Sequence, residues 1–429
     1  MKFLLITNND FDGVGQRTIS LNNELKSLGY ECKTLVFYKS LNKEYVIKIK
    51  RSIFLKYYFF LLNFLKKDFN RLFSFNFSTI KYESIKNYVK EADVIIIYSL
   101  AKFLSPDILK KIFLEKKIVY FRPLDMEFAT GGCHVNFTPN ASEKKTCLAF
   151  TRDCRNCPQL NFLNFNDIPN KILLAKKKII EKYKPKIFTV NSFKKRIYDK
   201  SIIHKKVKTK KLFLSANKNR IKYLSKKNAR KKLNFKDKEK IILFGSFNLD
   251  SKSKGGEQLK NILKKVIFEL NKGNLKKYKY SKTILVTFGN KTSFKVNLPG
   301  LVWKHMGLVN SDEKLNLLYR ASDVLVCPSI NDSGPHVVTE ALLNDLPIVA
   351  FNLGVAQDAI INGVNGYIIP CFNEKKFSKG ILNVLFKKKT KNKTKLRKIK
   401  NLFKPMQEAT EIIKYAKKDL KQSVNLSNY

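Results

Sequence analysis

The chain has 429 residues, 44% hydrophobic and 12% aromatic, which excludes wholesale disorder and is too long for one ordinary core, so two domains are expected. Lysine and arginine total 85 against 34 aspartates and glutamates, a formal net charge of +51. Such a surface draws polyanions, whether nucleic acid, an anionic membrane face or phosphorylated substrates, although the lysine runs at 176–178, 205–211 and 387–398 are scattered and read in part as solvated faces.

Lys2 is followed by a short apolar run, 3–6, that ends in Thr7-Asn8-Asn9-Asp10. This is the pattern of a buried strand and not of an export signal. The longest apolar stretch, 53–65, is broken by Lys56 and is shorter than the roughly 20 residues of a membrane-spanning helix. A cytoplasmic protein is therefore expected. After the first strand come Gly13-Val14-Gly15 and then Gln16 and Arg17. Gly13 and Gly15 fit either a tight turn or a loop that approaches a ligand phosphate.

Strands are expected at 2–7, 30–37, 93–98, 117–121 and 186–190 in the first half, and at 241–245, 283–289, 323–328, 346–351 and 366–370 in the second. Helical patterns at 18–28, 258–270 and 312–321 lie between them. Alternation of this kind calls for a parallel sheet covered by helices on both faces, twice over. The expected division is 1–205 and 206–405, with the basic stretch 205–222 as linker. Pro405 then starts a last helix, 406–423, expected to pack back on the first domain.

Between 43 and 90 basic and aromatic residues interleave, among them Tyr45, Lys48, Arg51, Phe54, Tyr57 and Phe64. The mixture suits an amphipathic helix on an anionic bilayer, a single-strand nucleic-acid surface, or an ordinary packed helix pair with lysine heads outward. Zinc-finger spacing, RNA-binding signatures and a continuous basic recognition helix are not evident, so no nucleic-acid partner is expected.

Four of the seven cysteines, Cys133, Cys147, Cys154 and Cys157, fall within 25 positions. The pair two residues apart could chelate a structural Zn ion with the others or act as a redox pair; four unrelated buried thiols are the plain alternative, and disulfides are disfavoured in a reducing compartment. His134, beside Cys133, could replace one ligand.

In the second half, the strand at 241–245 runs into Gly245-Ser246, with Lys252 and Lys254-Gly255 before an amphipathic helix. The strand at 323–327 ends at Pro328-Ser329, followed by a polar loop, Gly334 and a helix expected over 335–343 with Pro335 at its first position. Gly334 permits close approach, and the free N–H groups around Gly334 and His336, with Pro335 between them lacking one, open toward a phosphate. Asp332 and Glu340 flank this turn and could accept hydrogen bonds from sugar or ribose hydroxyls. The plain alternative is a strand–helix unit whose Glu340 faces solvent.

The stretch from Asp332 onward resembles the family 4 retaining glycosyltransferases of the GT-B fold. The resemblance lies in Asp332 and Glu340 with seven residues between them, Glu340-Ala341-Leu342, Pro347-Ile348-Val349-Ala350, His305-Met306-Gly307 and the run from Tyr319 to Val326. It implies an α/β chain of two Rossmann-like domains facing a central cleft. By the same resemblance Glu340 holds the ribose hydroxyls, Asp332 the donor sugar, and Lys254, with Lys252 nearby, the donor diphosphate. An Arg that often precedes this lysine in the family is missing here. Thr130-Gly131-Gly132-Cys133-His134 followed by Cys157-Pro158-Gln159-Leu160 also resembles a subgroup from exopolysaccharide gene sets of the colanic-acid type. Many of its members carry His before the Asp of the motif at Asp125-Met126; Leu124 stands there in this chain, leaving Asp125 and His134 as candidates.

What the resemblance implies is transfer of a sugar from an NDP-sugar to a saccharide or polyprenyl-diphosphate-linked acceptor, with retention of configuration and without an obligatory catalytic metal. Lipid-linked acceptors favour a peripheral location at the inner face of the plasma membrane. A sugar-nucleotide epimerase or phosphorylase of the same fold, and a polyanion-binding module, are the competing readings.

Overall fold

A computed structural model describes residues 1–51, 57, 73–101, 103–135, 147–158, 160, 167–272, 282–290, 293–332, 334–387 and 392–427. Most of the basic and aromatic stretch between 52 and 72 lies outside the described residues. The chain divides into two compact units. One comprises Met1–Val190, Lys194–Leu214 and Glu408–Tyr429; the other comprises Asn191–Phe193 and Ser215–Gln407.

The first unit is built on seven parallel strands, β1 (Lys2–Ile6), β2 (Glu31–Val36), β3 (Val46–Lys48), β4 (Val94–Ile97), β5 (Ile118–Phe121), β6 (Lys186–Thr189) and β7 (Thr209–Lys211). Their order is β3-β2-β1-β4-β5-β6-β7. The second unit has six, β8 (Lys240–Gly245), β9 (Thr283–Phe288), β10 (Leu301–His305), β11 (Val324–Cys327), β12 (Ile348–Phe351) and β13 (Gly366–Ile369), ordered β10-β9-β8-β11-β12-β13. Both are doubly wound α/β sheets, Rossmann-like, in which the order reverses beside the first strand.

The continuous apolar runs of the sequence are strands buried on both faces. In β1, Leu4 and Ile6 join one core, with Ile95 and Ile97 of β4, while Phe3 and Leu5 join another, with Val94 and Ile96. Full burial of each such side chain contributes about 1.5–3 kcal/mol. The second core is closed by the C-terminal helix, Gln407–Ser427, through Ala409, Ile412, Ile413 and Ala416, the i, i+3, i+4, i+7 positions of one helical face.

Polar contacts tie that helix down. Tyr120 donates to Asp419 at 2.6 Å. Fully buried Arg122, just beyond β5, donates from Nε to Glu408 at 2.7 Å and from a terminal nitrogen to the Phe188 carbonyl at 2.9 Å. Glu408→Ala would leave a buried guanidinium without its counter-charge, so unfolding of the first unit is expected to be easier by about 3–5 kcal/mol. Urea unfolding followed by far-UV dichroism checks this; a loss below about 1 kcal/mol, the scale of an exposed pair, would mean that Glu408 is not the partner Arg122 depends on.

No described helix is long and apolar enough to cross a membrane.

Candidate active site

In sheets of this order ligands bind beyond the carboxyl ends of the strands where the order reverses. In the second unit that point lies between β8 and β11. After β8 the chain passes through a 3-10 turn, Lys252–Lys254, into the helix Gly256–Asn271. After β11 it passes through 328–335 into the helix His336–Leu343.

The two loops are joined by backbone. The amides of Ile330 and Asn331 donate to the Ser253 carbonyl at 2.9 and 3.3 Å. Gly255 is in the left-handed region at φ 74°, and a Cβ there would sit 1.9 Å from the Pro328 carbonyl oxygen, so only glycine allows this approach. The seam places Lys254 Nζ 2.6 Å from Asp332 Oδ2. The other carboxylate oxygen of Asp332 accepts from the Gly334 amide at 3.0 Å. Burial disfavours the Lys254 charge, but the Asp332 carboxylate outweighs it and holds the ammonium above its ordinary pKa.

Pro335 proves to be the extended residue before the helix, whose first residue is His336, and Pro335 makes no side-chain capping bond. The expected position of Pro335 inside the helix is thus corrected by one residue. The positive end of the helix dipole opens on the loop that carries Asp332 and Gly334. Gly334 lies beside Asn191 and Val355. Nearby, the Ser192 amide donates to Asp358 at 2.8 Å.

Glu340 does not face solvent. It is 2% exposed. One oxygen accepts from Arg220 at 2.9 Å and the other from the Tyr319 hydroxyl at 2.6 Å. Arg220 also donates to Asp312 at 2.6 Å, and its carbonyl accepts from Asn316 and Asn344 at 3.1 and 2.7 Å. Among the described residues, these two bonds use two of about four acceptor directions of the carboxylate.

Other expected contributors are placed differently. Gly245 ends β8 buried against the Phe288 ring, and the Ser246 amide continues the ladder by donating to the Phe288 carbonyl at 3.1 Å. Lys252 is exposed on the turn. In the first unit, Gly13 and Gly15 are not in a loop ahead of a helix, because the helix begins at Gly13 and Asp12 caps it by accepting from the Gly15 amide at 2.8 Å. A Cβ on Gly15 would meet the Asn9 carbonyl oxygen at 2.3 Å, so this glycine serves close packing.

The same reversal point in the first unit lies between β1 and β4, and Glu127 occupies it. Its carboxylate is 1% exposed and accepts from the Leu100 amide at 3.1 Å and from Asn76 and Ser99 at 3.4 Å. Burial raises its pKa. Glu127 was not among the expected residues, although its place two positions after Asp125 was a usable signal.

Asp125 and His134 come together. His134 Nδ1 is 2.7 Å from Asp125 Oδ2, and its Nε2 is 2.7 Å from Ser74 Oγ. Burial works against both charges, but each charge outweighs it at the other, so Asp125 is shifted down and His134 up. Ligand atoms of Asp125, Glu127 and His134 lie within 4.8 Å of one another. Both ring nitrogens of His134 are already engaged, so the trio reads first as a hydrogen-bond network. Lys176, 2% exposed, donates to the carbonyls of Glu127 and Thr130 at 2.6 and 3.0 Å and fixes this turn from below; burial lowers its pKa to about 8.

The four clustered cysteines lie near that turn, but no three of their sulfurs come within 4.8 Å of one another. Cys133 and Cys157 sulfurs are 3.9 Å apart, and Cys133, Cys147 and Cys154 line one small cavity. The contact with Cys157, together with burial, pushes the Cys133 thiol well up.

Residues 225–401, less than half of the chain, match the family model Glycosyl transferases group 1. That segment, which contains Lys254, Asp332 and Glu340, is a glycosyltransferase group 1 domain, and the fold is that of the GT-B enzymes. No curated protein sequence matches the chain significantly. Among solved structures, the chain is similar to sucrose-phosphate synthase from Thermosynechococcus elongatus, at 13% identity and TM-score 0.59, over 99% of this chain and 98% of that one. It is also similar to the Anabaena protein HepE, solved in complex with UDP-glucose, at 12% identity and TM-score 0.56, over 98% and 100%. The lipopolysaccharide outer core galactosyltransferase WaaB is similar at 12% identity and TM-score 0.59, over 96% and 98%.

Proposed function

We propose that the protein is a retaining glycosyltransferase that moves a sugar from an NDP-sugar to a saccharide or polyprenyl-diphosphate-linked acceptor in surface polysaccharide synthesis. The observation that carries this reading is the pairing of Lys254 with Asp332 at the reversal point of a glycosyltransferase group 1 domain, on a seam shared with the loop that leads into the helix at His336. A cation and a positive helix end on adjoining loops suit a leaving diphosphate. Buried Glu340, fixed by Arg220 and Tyr319, suits ribose hydroxyls, and Asp332 a donor-sugar hydroxyl.

In this reading the acceptor hydroxyl attacks the anomeric carbon on the face from which the diphosphate departs. The leaving phosphate oxygen takes the acceptor proton, so no separate protein base is required. Lys254 and the helix amides hold the charge that develops on the diphosphate. That the similar Anabaena protein was solved with UDP-glucose supports a nucleotide-sugar donor. The resemblance of 130–160 to exopolysaccharide enzymes supports the pathway, and the net charge of +51 supports docking at an anionic membrane face.

The test is a thermal-shift panel of UDP, GDP, ADP and their sugars. One nucleotide class should raise the melting temperature, because a ligand that binds only the folded state stabilises it. Turnover of the sugar nucleotide without any acceptor would favour an epimerase. No shift with any nucleotide, beside tight heparin or RNA binding, would replace the proposal with a polyanion-binding module.

A further inference from the structure

We propose that Arg220 is a positioning residue for nucleotide binding, and that Asp312 acts on the same affinity one step further out, by holding Arg220 against Glu340. This rests on the reading of Glu340 as the group that meets the ribose hydroxyls. On the helix Asp312–Ala321, Asp312, Asn316 and Tyr319 stand at i, i+4 and i+7 and so share one face. All three hold either Glu340 or Arg220. Tyr319 donates to one Glu340 oxygen at 2.6 Å. Asp312 accepts from Arg220 Nε at 2.6 Å, and Asn316 donates to the Arg220 carbonyl at 3.1 Å.

Arg220 ends the 3-10 turn Lys218–Arg220. Asn217 caps that turn by accepting from the Asn219 amide at 2.9 Å, and its own side-chain amide donates to the second Asp312 oxygen at 3.0 Å. Asn344 follows the helix that carries Glu340 and donates to the Arg220 carbonyl at 2.7 Å and to the Glu340 carbonyl at 2.9 Å. Both the backbone and the head group of Arg220 are therefore tied to the surroundings of Glu340.

The arrangement calls for an arginine. The guanidinium gives Nε to Asp312 and a terminal nitrogen to Glu340, the latter at 2.9 Å. Such a fork serves two carboxylates at fixed angles, whereas a lysine is a single point charge. Burial works against the Arg220 charge, but the Glu340 and Asp312 carboxylates outweigh it and raise its pKa. The Glu340 side chain is 3% exposed, and those of Arg220 and Asp312 are 28% each. A buried carboxylate is thus steadied by a partly exposed cation, which a partly exposed anion steadies in turn. Supports of this kind keep a binding group in one rotamer. Without Arg220, Glu340 keeps its charge but gives up rotamer freedom when a ligand binds.

The experiment is a double-mutant cycle on nucleotide affinity, by calorimetric titration of the full chain with whichever of UDP, GDP and ADP stabilises it. Arg220→Gln should weaken binding about 10-fold, the upper end of what ordering one side chain costs. Glu340→Ala leaves no carboxylate to position, so in that background the same substitution should change affinity by less than about twofold, the usual error of additivity. Arg220→Lys should recover part of the loss, because charge returns without the fork. Asp312→Ala should weaken binding about threefold in the parent and have no effect beside Arg220→Gln. It also carries the test if Arg220→Gln does not fold. Parent-like affinity in Arg220→Gln or in Asp312→Ala, or an equal loss from Arg220→Gln in both backgrounds, would overturn the inference and leave the role of Glu340 standing. Parent-like affinity in Glu340→Ala would instead remove the ribose reading beneath it.

Discussion

Lys254→Ala is expected to lower kcat/KM for sugar transfer by about 10²–10³-fold, the usual cost of removing one group that stabilises charge in a transition state. An ammonium about 4 Å from a unit negative charge contributes about 4 kcal/mol at an effective dielectric of 20. Part of that is offset in the free enzyme, where Lys254 is paired with Asp332 at 2.6 Å. Folding should change little. The pair is partly exposed, at 30% and 13% of the two side chains, and partly exposed ion pairs are worth about 1 kcal/mol or less. The seam between the loops is made by backbone, from Ile330 and Asn331 to Ser253, and survives the substitution. Lys254→Arg should recover part of the rate, because the charge returns with a different donor geometry. The check is the initial rate of NDP release beside a melting curve. A variant that folds and transfers within about threefold of the parent would remove Lys254 from the diphosphate site, since threefold is under 1 kcal/mol.

The sequence disclosed the central strands and the turn that carries Asp332 because both are local signals. β8, β9, β11 and β12 are buried at every position but one and so read as unbroken apolar runs. Edge strands do not. In β3, β7 and β10 only the first residue is buried, and β7, Thr-Lys-Lys, lies inside the basic stretch that looked like linker. The start of the first helix was missed for another reason. Gly13 and Gly15 argue against helix by propensity, while the Asp12 cap outweighs them. Long-range partners leave no local trace at all. Nothing near Glu340 announces Arg220, 120 positions away, or makes Tyr319 more than one aromatic on a helix. The meeting of Asp125 with His134 depends on a turn at 126–134 whose course is set by Lys176, again from a distant helix.

Those distant partners decide how Glu340 should be tested. Glu340→Ala removes the acceptor for both Arg220 and Tyr319, and leaving such buried donors unpaired costs about 1–3 kcal/mol. Lost activity would then have two causes. Glu340→Gln separates them. Its carbonyl oxygen can still accept from Arg220, and the Tyr319 hydroxyl can turn to accept from the new amide, so the melting temperature should stay near that of the parent. What changes is the charge available to ribose hydroxyls. Hydrogen bonds to charged groups contribute about 1.5–3 kcal/mol, so nucleotide affinity should fall about 10- to 150-fold, with kcat/KM for transfer falling at least as far. Tyr319→Phe is the complementary control, since it removes the 2.6 Å bond and leaves the carboxylate, and it should lower stability more than nucleotide affinity. If Glu340→Gln folds, binds nucleotide and transfers as the parent does, Glu340 serves only to anchor Arg220, and the ribose site must be sought elsewhere around the end of β11.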